Sequence, residues 1–167
     1  MSDYLNKNFY INFFTIIIIF SLDRISKFYV ISQNEKNFTP DLFTSKYLNI
    51  SLIWNEGIAF GLLSFNESHF YNFLTILIAI IIIVIFFMIL RNKGLKKYSL
   101  LMILGGALGN LYDRIFFKAV PDFIDFHIGN FHWFIFNVSD IFISIGVLFL
   151  IFLELIDNQK NKIDEKN

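Results

Sequence analysis

The chain has 167 residues, of which 56% are hydrophobic, 19% aromatic and only 17% charged, a composition too apolar for a soluble domain of this length and suited to a membrane protein. Fourteen Lys and Arg balance fourteen Asp and Glu, so the basic excess of a nucleic-acid binder is missing and no nucleic-acid partner is expected. There is no cysteine, which excludes disulfides, thiolate metal sites and cysteine nucleophiles, and the length suggests one domain over 1–167.

A helix rising 1.5 Å per residue needs about 20 mostly apolar residues to cross about 30 Å of hydrocarbon. Four segments qualify: about Phe9 to Ile31, Phe70 to Leu90, Tyr98 to Phe117, and Phe136 to Ile156. The first runs into Asp23 and Arg24 rather than a small-x-small cleavage site, so it is expected to stay as a helix. In the connection that follows, Tyr47 to Phe60 is rich in aromatic and β-branched residues and reads as one or two short strands ended by Gly57 and Gly61. The second span is the purest, with no polar side chain from Ile76 to Leu90. Arg91, Lys93, Lys96 and Lys97 follow without an acid, which marks that connection as cytoplasmic.

The third span carries Gly105, Gly106 and Gly109, a small-residue face that lets another backbone approach. After it, Asp125 to Phe136 reads as a short hairpin turning near Gly129 and Asn130, with aromatics suited to a membrane interface. Four spans put both termini inside; Lys7, Lys160, Lys162 and Lys166 agree, although Asp157, Asp164 and Glu165 dilute the tail. The expected fold is an all-α membrane protein of four transmembrane helices with a small extracytoplasmic β-sheet from the outer loops.

Ionisable residues inside spans are costly and are functional candidates by default. Asp23 and Lys27 lie four apart in the first span, as do Asn110 and Arg114 in the third, which also holds Asp113; Asn137, Asp140 and Ser144 share a face of the fourth. On the topology above, all of them fall at the outer end, where Asn55, Asp122 and Asp125 from the loops can join them. Asp23 with Lys27 reads equally as a simple ion pair capping the first helix or as part of the site, and Asn137 also suits a helix N-cap.

The chemistry is narrowed by elimination. No G-x-S-x-G and no H-E-x-x-H occurs, and His127 and His132 lack a full metal-ligand pattern, so they are read as surface histidines and no metal is expected. Carboxylates remain. Two that share a site cannot both ionise easily, and such a pair activates water without nucleophile or metal. Asp140, in the first turn of a helix, suits the charged partner; a loop aspartate, Asp122 or Asp125, supplies the other, and spacing does not choose between them. A cation channel or transporter would continue polar residues across the membrane, which the second span does not; a scaffold would find its carboxylates dispensable.

Five blocks settle the comparison: Asp23-Arg24-Ile25-Ser26-Lys27, Asn55-Glu56-Gly57-Ile58-Ala59-Phe60, Gly105 to Arg114, Val120-Pro121-Asp122-Phe123-Ile124-Asp125, and Phe136-Asn137-Val138-Ser139-Asp140. In this order and spacing the chain resembles the lipoprotein signal peptidase (signal peptidase II) family over nearly its whole length. The resemblance implies an aspartic endopeptidase whose catalytic pair is Asp122 and Asp140, with Asp23, Lys27, Asn55, Gly57, Asn110, Arg114 and Asn137 around the substrate or orienting the pair. It implies a monomer in the bacterial inner membrane, without cofactor, that cuts diacylglyceryl-modified prolipoproteins just before the lipidated cysteine and is inhibited by globomycin. Pro121, beside Asp122, and Ser139, where Ala is common, are small departures.

Overall fold

The computed structural model describes residues 2–37, 41–57 and 67–164. In chain order these form α1 (Ser2–Asn37), β1 (Asp41–Thr44), β2 (Leu48–Asn55), α2 (Glu67–Arg91), α3 (Gly94–Phe116), β3 (Val120–Ile128), β4 (Phe131–Phe136) and α4 (Val138–Asp164). The protein is mostly helical, with one small antiparallel sheet of order β1-β2-β3-β4.

The helices run beyond the apolar segments that announce them. α1 reaches Asn37 and α4 reaches Asp164, because polar ends continue the backbone hydrogen-bond ladder once the apolar middle has nucleated it. Only Asn92 and Lys93 separate α2 from α3, so Lys96 and Lys97, expected in the connection, stand in the first turn of α3. At that end Lys96 Nζ lies 2.7 Å from both Glu154 and Asp157 of α4. The acids that dilute the basic tail are therefore in part paired.

By length and composition two helical segments suit a membrane crossing, Tyr71–Arg91 and Val138–Gln159. α1 and α3, which bring Asp23, Arg24, Lys27, Asn110, Asp113 and Arg114, are not among them. All the same, side chains such as Phe13, Ile18, Ile25 and Phe28 of α1 and Phe73, Ile80, Phe87 and Leu90 of α2 are exposed, an apolar surface far beyond what a soluble monomer carries.

α3 is the central helix, packed on α1, α2 and α4. Its Leu100, Leu101, Ile103 and Leu104 join Ile85 and Ile89 of α2 in the core. The glycine face works in two directions. A Cβ on Gly105 would stand 2.9 Å from Ile19 Cβ of α1, and one on Gly106 only 2.6 Å from the Ser139 carbonyl oxygen of α4. Both distances are shorter than real Cβ atoms show, so a side chain at either position would push the helices apart, which is the physical content of the small-residue motif.

The sheet agrees with the expected strands and corrects two details. β3 and β4 form the hairpin, with Gly129 at φ +60° in its turn. Asp122, expected in a loop, lies within β3, opposite Ile53 of β2; Pro121 stands opposite Trp54 of β2, short of the stretch of β3 that pairs with β4, where its missing N–H is tolerated. β1, paired with β2 at the edge, was not signalled by any alternating run in Asp-Leu-Phe-Thr. The expected strand end at Gly61, and the Ile58-Ala59-Phe60 part of its block, fall outside the described residues.

Candidate active site

At one end of the helices a salt network is buried among α1 and α3. Lys27 Nζ lies 2.9 Å from Asp23 and 2.7 Å from Asp113 and donates to Asn110 Oδ1 at 2.9 Å. Arg24 donates to both oxygens of Asp113 and to Asp23, and its guanidinium lies 4.8 Å from the Tyr112 ring. Asp23 and Asp113 are fully buried and Lys27 is 1% exposed, so the charges have no water to fall back on. Two acids meet two bases, and neutrality is what makes the burial tolerable.

The network also positions α4. Asp23 Oδ1 accepts the Ser139 backbone N–H at 3.0 Å, filling one of the donors a helix start leaves open. Asn137 is the N-cap: its Oδ1 accepts from the Asp140 N–H at 3.2 Å, and Asp140 Oδ2 accepts from the Asn137 N–H at 3.1 Å. This reciprocal pair is a capping box built with Asn and Asp, and it locks the Asp140 side chain against the helix start. Asn110, held by Lys27 through its oxygen, donates Nδ2 to the other Asp140 oxygen at 2.7 Å.

Asn137 has a further bond to give. Its Nδ2 donates to Asp122 Oδ1 at 2.6 Å, so one side chain bridges the two aspartates. The second Asp122 oxygen accepts from Asn55 Nδ2 at 2.8 Å. Asn55 is turned that way because its Oδ1 accepts the Gly57 N–H at 2.8 Å. Gly57 has φ +81°, and a Cβ there would meet Leu74 at 2.8 Å, so the turn requires glycine.

Asp122 and Asp140 thus differ from the other acids of this region: among the described residues, each is hydrogen-bonded by amides alone and by no cation. Burial pushes the Asp122 carboxyl up to about 6, against the amide donation of Asn55 and Asn137, and the nearby Asp140 charge pushes in the same direction. A carboxyl poised there exchanges its proton near neutral pH. Asp125, by contrast, turns to His132 and Asn49 and makes no bond to either aspartate.

Beside Asp140 lies an apolar groove of about 610 Å³, walled by the sheet aromatics Phe126, Trp133 and Phe136, by Tyr47 just before β2 and by Ile141. Of the expected residues, Asp122, Asp140, Asn55, Asn110 and Asn137 are joined directly; Gly57, Lys27 and Asp23 support them one bond away. Arg114 stands apart: its carbonyl accepts from Tyr71 Oη at 3.0 Å, and its Nε is buried without a partner among the described residues. Arg24 was given no role from sequence, although a second cation was needed to balance Asp23 and Asp113.

The family profile described as signal peptidase (SPase) II matches residues 15–156. The chain belongs to the signal peptidase II family. It is a peptidase of that type, and a bacterial membrane setting fits its relatives. It is 52% identical over 161 residues to the lipoprotein signal peptidase of Pelagibacter ubique (strain HTCC1062), covering 96% of each chain. It is 40% identical over 139 residues to that of Anaplasma phagocytophilum (strain HZ), covering 83% of this chain and 87% of the relative. Among solved structures, a bacterial membrane enzyme determined at 2.3 Å by the in meso method superposes with a TM-score of 0.72 at 28% identity, over 90% of both chains.

Proposed function

We propose that this signal peptidase II family member removes the signal peptide from diacylglyceryl-modified prolipoproteins, cutting just before the lipidated cysteine, with Asp122 and Asp140 as its catalytic pair. The observation that carries the reading is the Asn137 bridge between two carboxyl groups served only by amides. In the reading, Asp140, aimed by two N–H donors, takes a proton from the attacking water. Asp122 carries a proton and gives it to the scissile carbonyl oxygen as the water oxygen bonds to carbon. The tetrahedral intermediate then collapses: the C–N bond breaks, Asp140 returns its proton to the departing nitrogen, and Asp122 recovers one from the hydroxyl.

The same reading places all four helices across the membrane as one domain, with the basic α2–α3 connection and both termini inside and the sheet outside. Lys96, paired with acids at one end, and the aromatic sheet at the other suit this orientation. The groove beside Asp140 lets the substrate's apolar segment lie against Tyr47 and Trp133 while acyl chains stay in lipid. Arg114, with its unpartnered Nε, is assigned to polar groups of the substrate.

The test is cleavage by purified protein in detergent of a peptide bearing a diacylglyceryl cysteine, with globomycin as the blocking control. Asp122→Asn and Asp140→Asn are each expected to lower kcat by about 10³-fold or more. Substantial activity in either, with the fold intact, sinks the dyad, and equal cutting of an unlipidated peptide sinks the substrate class. In the same assay Arg114→Ala is expected to raise KM, and an unchanged KM removes Arg114 from the substrate site.

A further inference from the structure

On the outer hairpin, away from the aspartate pair, three residues converge that the proposed reaction does not use. His127 and His132 face each other across β3 and β4, with their rings stacked at 5.0 Å and 17° between planes. His132 Nδ1 lies 2.8 and 3.1 Å from the two Asp125 oxygens. One ligand atom from each of the three side chains falls within 4.8 Å of the others.

We propose that Asp125, His127 and His132 form a binding site for a divalent transition-metal ion, zinc being the best fit. Two imidazoles and a carboxylate are a borderline-soft donor set that zinc accepts as three protein ligands with a fourth position left open. Magnesium and calcium, which prefer oxygen throughout, fit it poorly.

Two features argue for a built site over a chance cluster. Asp125 is only 4% exposed, and Asn49 Nδ2 donates to its Oδ2 at 3.3 Å, so the carboxylate is fixed in place by a neighbouring strand. Such outer hydrogen bonds orient metal ligands. Among the described residues His127 Nδ1 is buried and has no hydrogen-bond partner, an unmet polar group of the kind that a bound ion relieves. A tetrahedral ion with bonds near 2.0 to 2.1 Å draws its ligands to about 3.3 Å from one another, closer than the present spread. His132, whose side chain is half exposed, is the ligand free to swing inward.

The ion would tie β3 to β4. His127 also lines the groove beside Asp140, so the site borders that groove. The site does not depend on the aspartate pair, since Asp125 makes no bond to Asp122 or Asp140.

The experiment is zinc titration of the full-length protein in detergent, prepared without a histidine tag and stripped with a chelator, read by calorimetry and by the visible absorption of cobalt(II) as a substitute. One equivalent is expected to bind and to raise the Tm. His132→Gln, at a half-exposed position that spares the fold, and Asp125→Asn are each expected to weaken binding at least about tenfold and to abolish the Tm rise, while Asp122→Asn keeps both. The proposal is overturned by an absence of stoichiometric binding, by binding that survives both substitutions, or by binding lost only in Asp122→Asn, which would put the ion on the aspartates.

Discussion

Replacing Asn137 by Ala removes two bonds at once: the Nδ2 donation to Asp122 at 2.6 Å and the Oδ1 acceptance from the Asp140 N–H at 3.2 Å. Loss of an N-cap costs about 1 kcal/mol, and loss of a buried bond to a charged group about 1.5–3 kcal/mol, so a destabilisation of roughly 2–4 kcal/mol is expected. The effect on activity has a direction as well as a size. Amide donation from Asn137 favours the charged form of Asp122, so its removal lifts that carboxyl further above about 6. If Asp122 acts as the acid, the alkaline limb of kcat/KM moves to higher pH in the variant while the maximum falls about tenfold to a hundredfold. Asn137→Ser separates the two roles, because serine caps a helix well but cannot reach across to Asp122. It is expected to recover most of the lost stability and still show the displaced limb. The assay is the pH profile of lipidated-peptide cleavage for the three proteins, with melting curves beside it. A limb that stays in place, or that moves to lower pH, refutes the bridge as a control on Asp122.

Stability should carry the mark of the same carboxyl. With its folded value raised from 3.8 to about 6, Asp122 favours the native state most below pH 3.8 and loses that contribution as pH rises through about 6, a change of about 3 kcal/mol. Asp122→Asn is expected to flatten the fall in Tm between about pH 4 and pH 7, and an equally steep fall would show that another group is responsible. Lys27→Met leaves Asp23 and Asp113 with Arg24 alone and is expected to cost about 3–5 kcal/mol by denaturant or thermal unfolding. Lys96→Met, at an exposed pair, should cost far less, and similar losses in the two variants would contradict the burial argument.

What could be read from the residues follows from how local each signal is. Long apolar runs announced all four helices, and Gly129-Asn130 announced the hairpin turn, because those signals sit within one element. The polar residues at spacings of three and four were legible as faces, and the capping box at Asn137 and Asp140 is likewise a short-range pattern. The choice between Asp122 and Asp125 was not. Both lie in β3, and what separates them is the partner each meets from elsewhere in the chain: Asn55 and Asn137 for one, Asn49 and His132 for the other. Spacing also hid the network's second cation, since Arg24 reveals its role only when Asp113, 89 residues on, is brought beside it.

Asp122 stands on a strand whose partner β2 precedes α2, and Asp140 opens the helix that follows the sheet. Synthesis therefore delivers the two carboxyls late, 18 residues apart in sequence (140 − 122), after α2 and α3 have been made. Until β3 finds β2 across that intervening hairpin, Asp122 lacks Asn55, and until α4 docks on Asp23 the cap that aims Asp140 has no support. The hydrogen-bonded pair thus comes together only as the last helix settles.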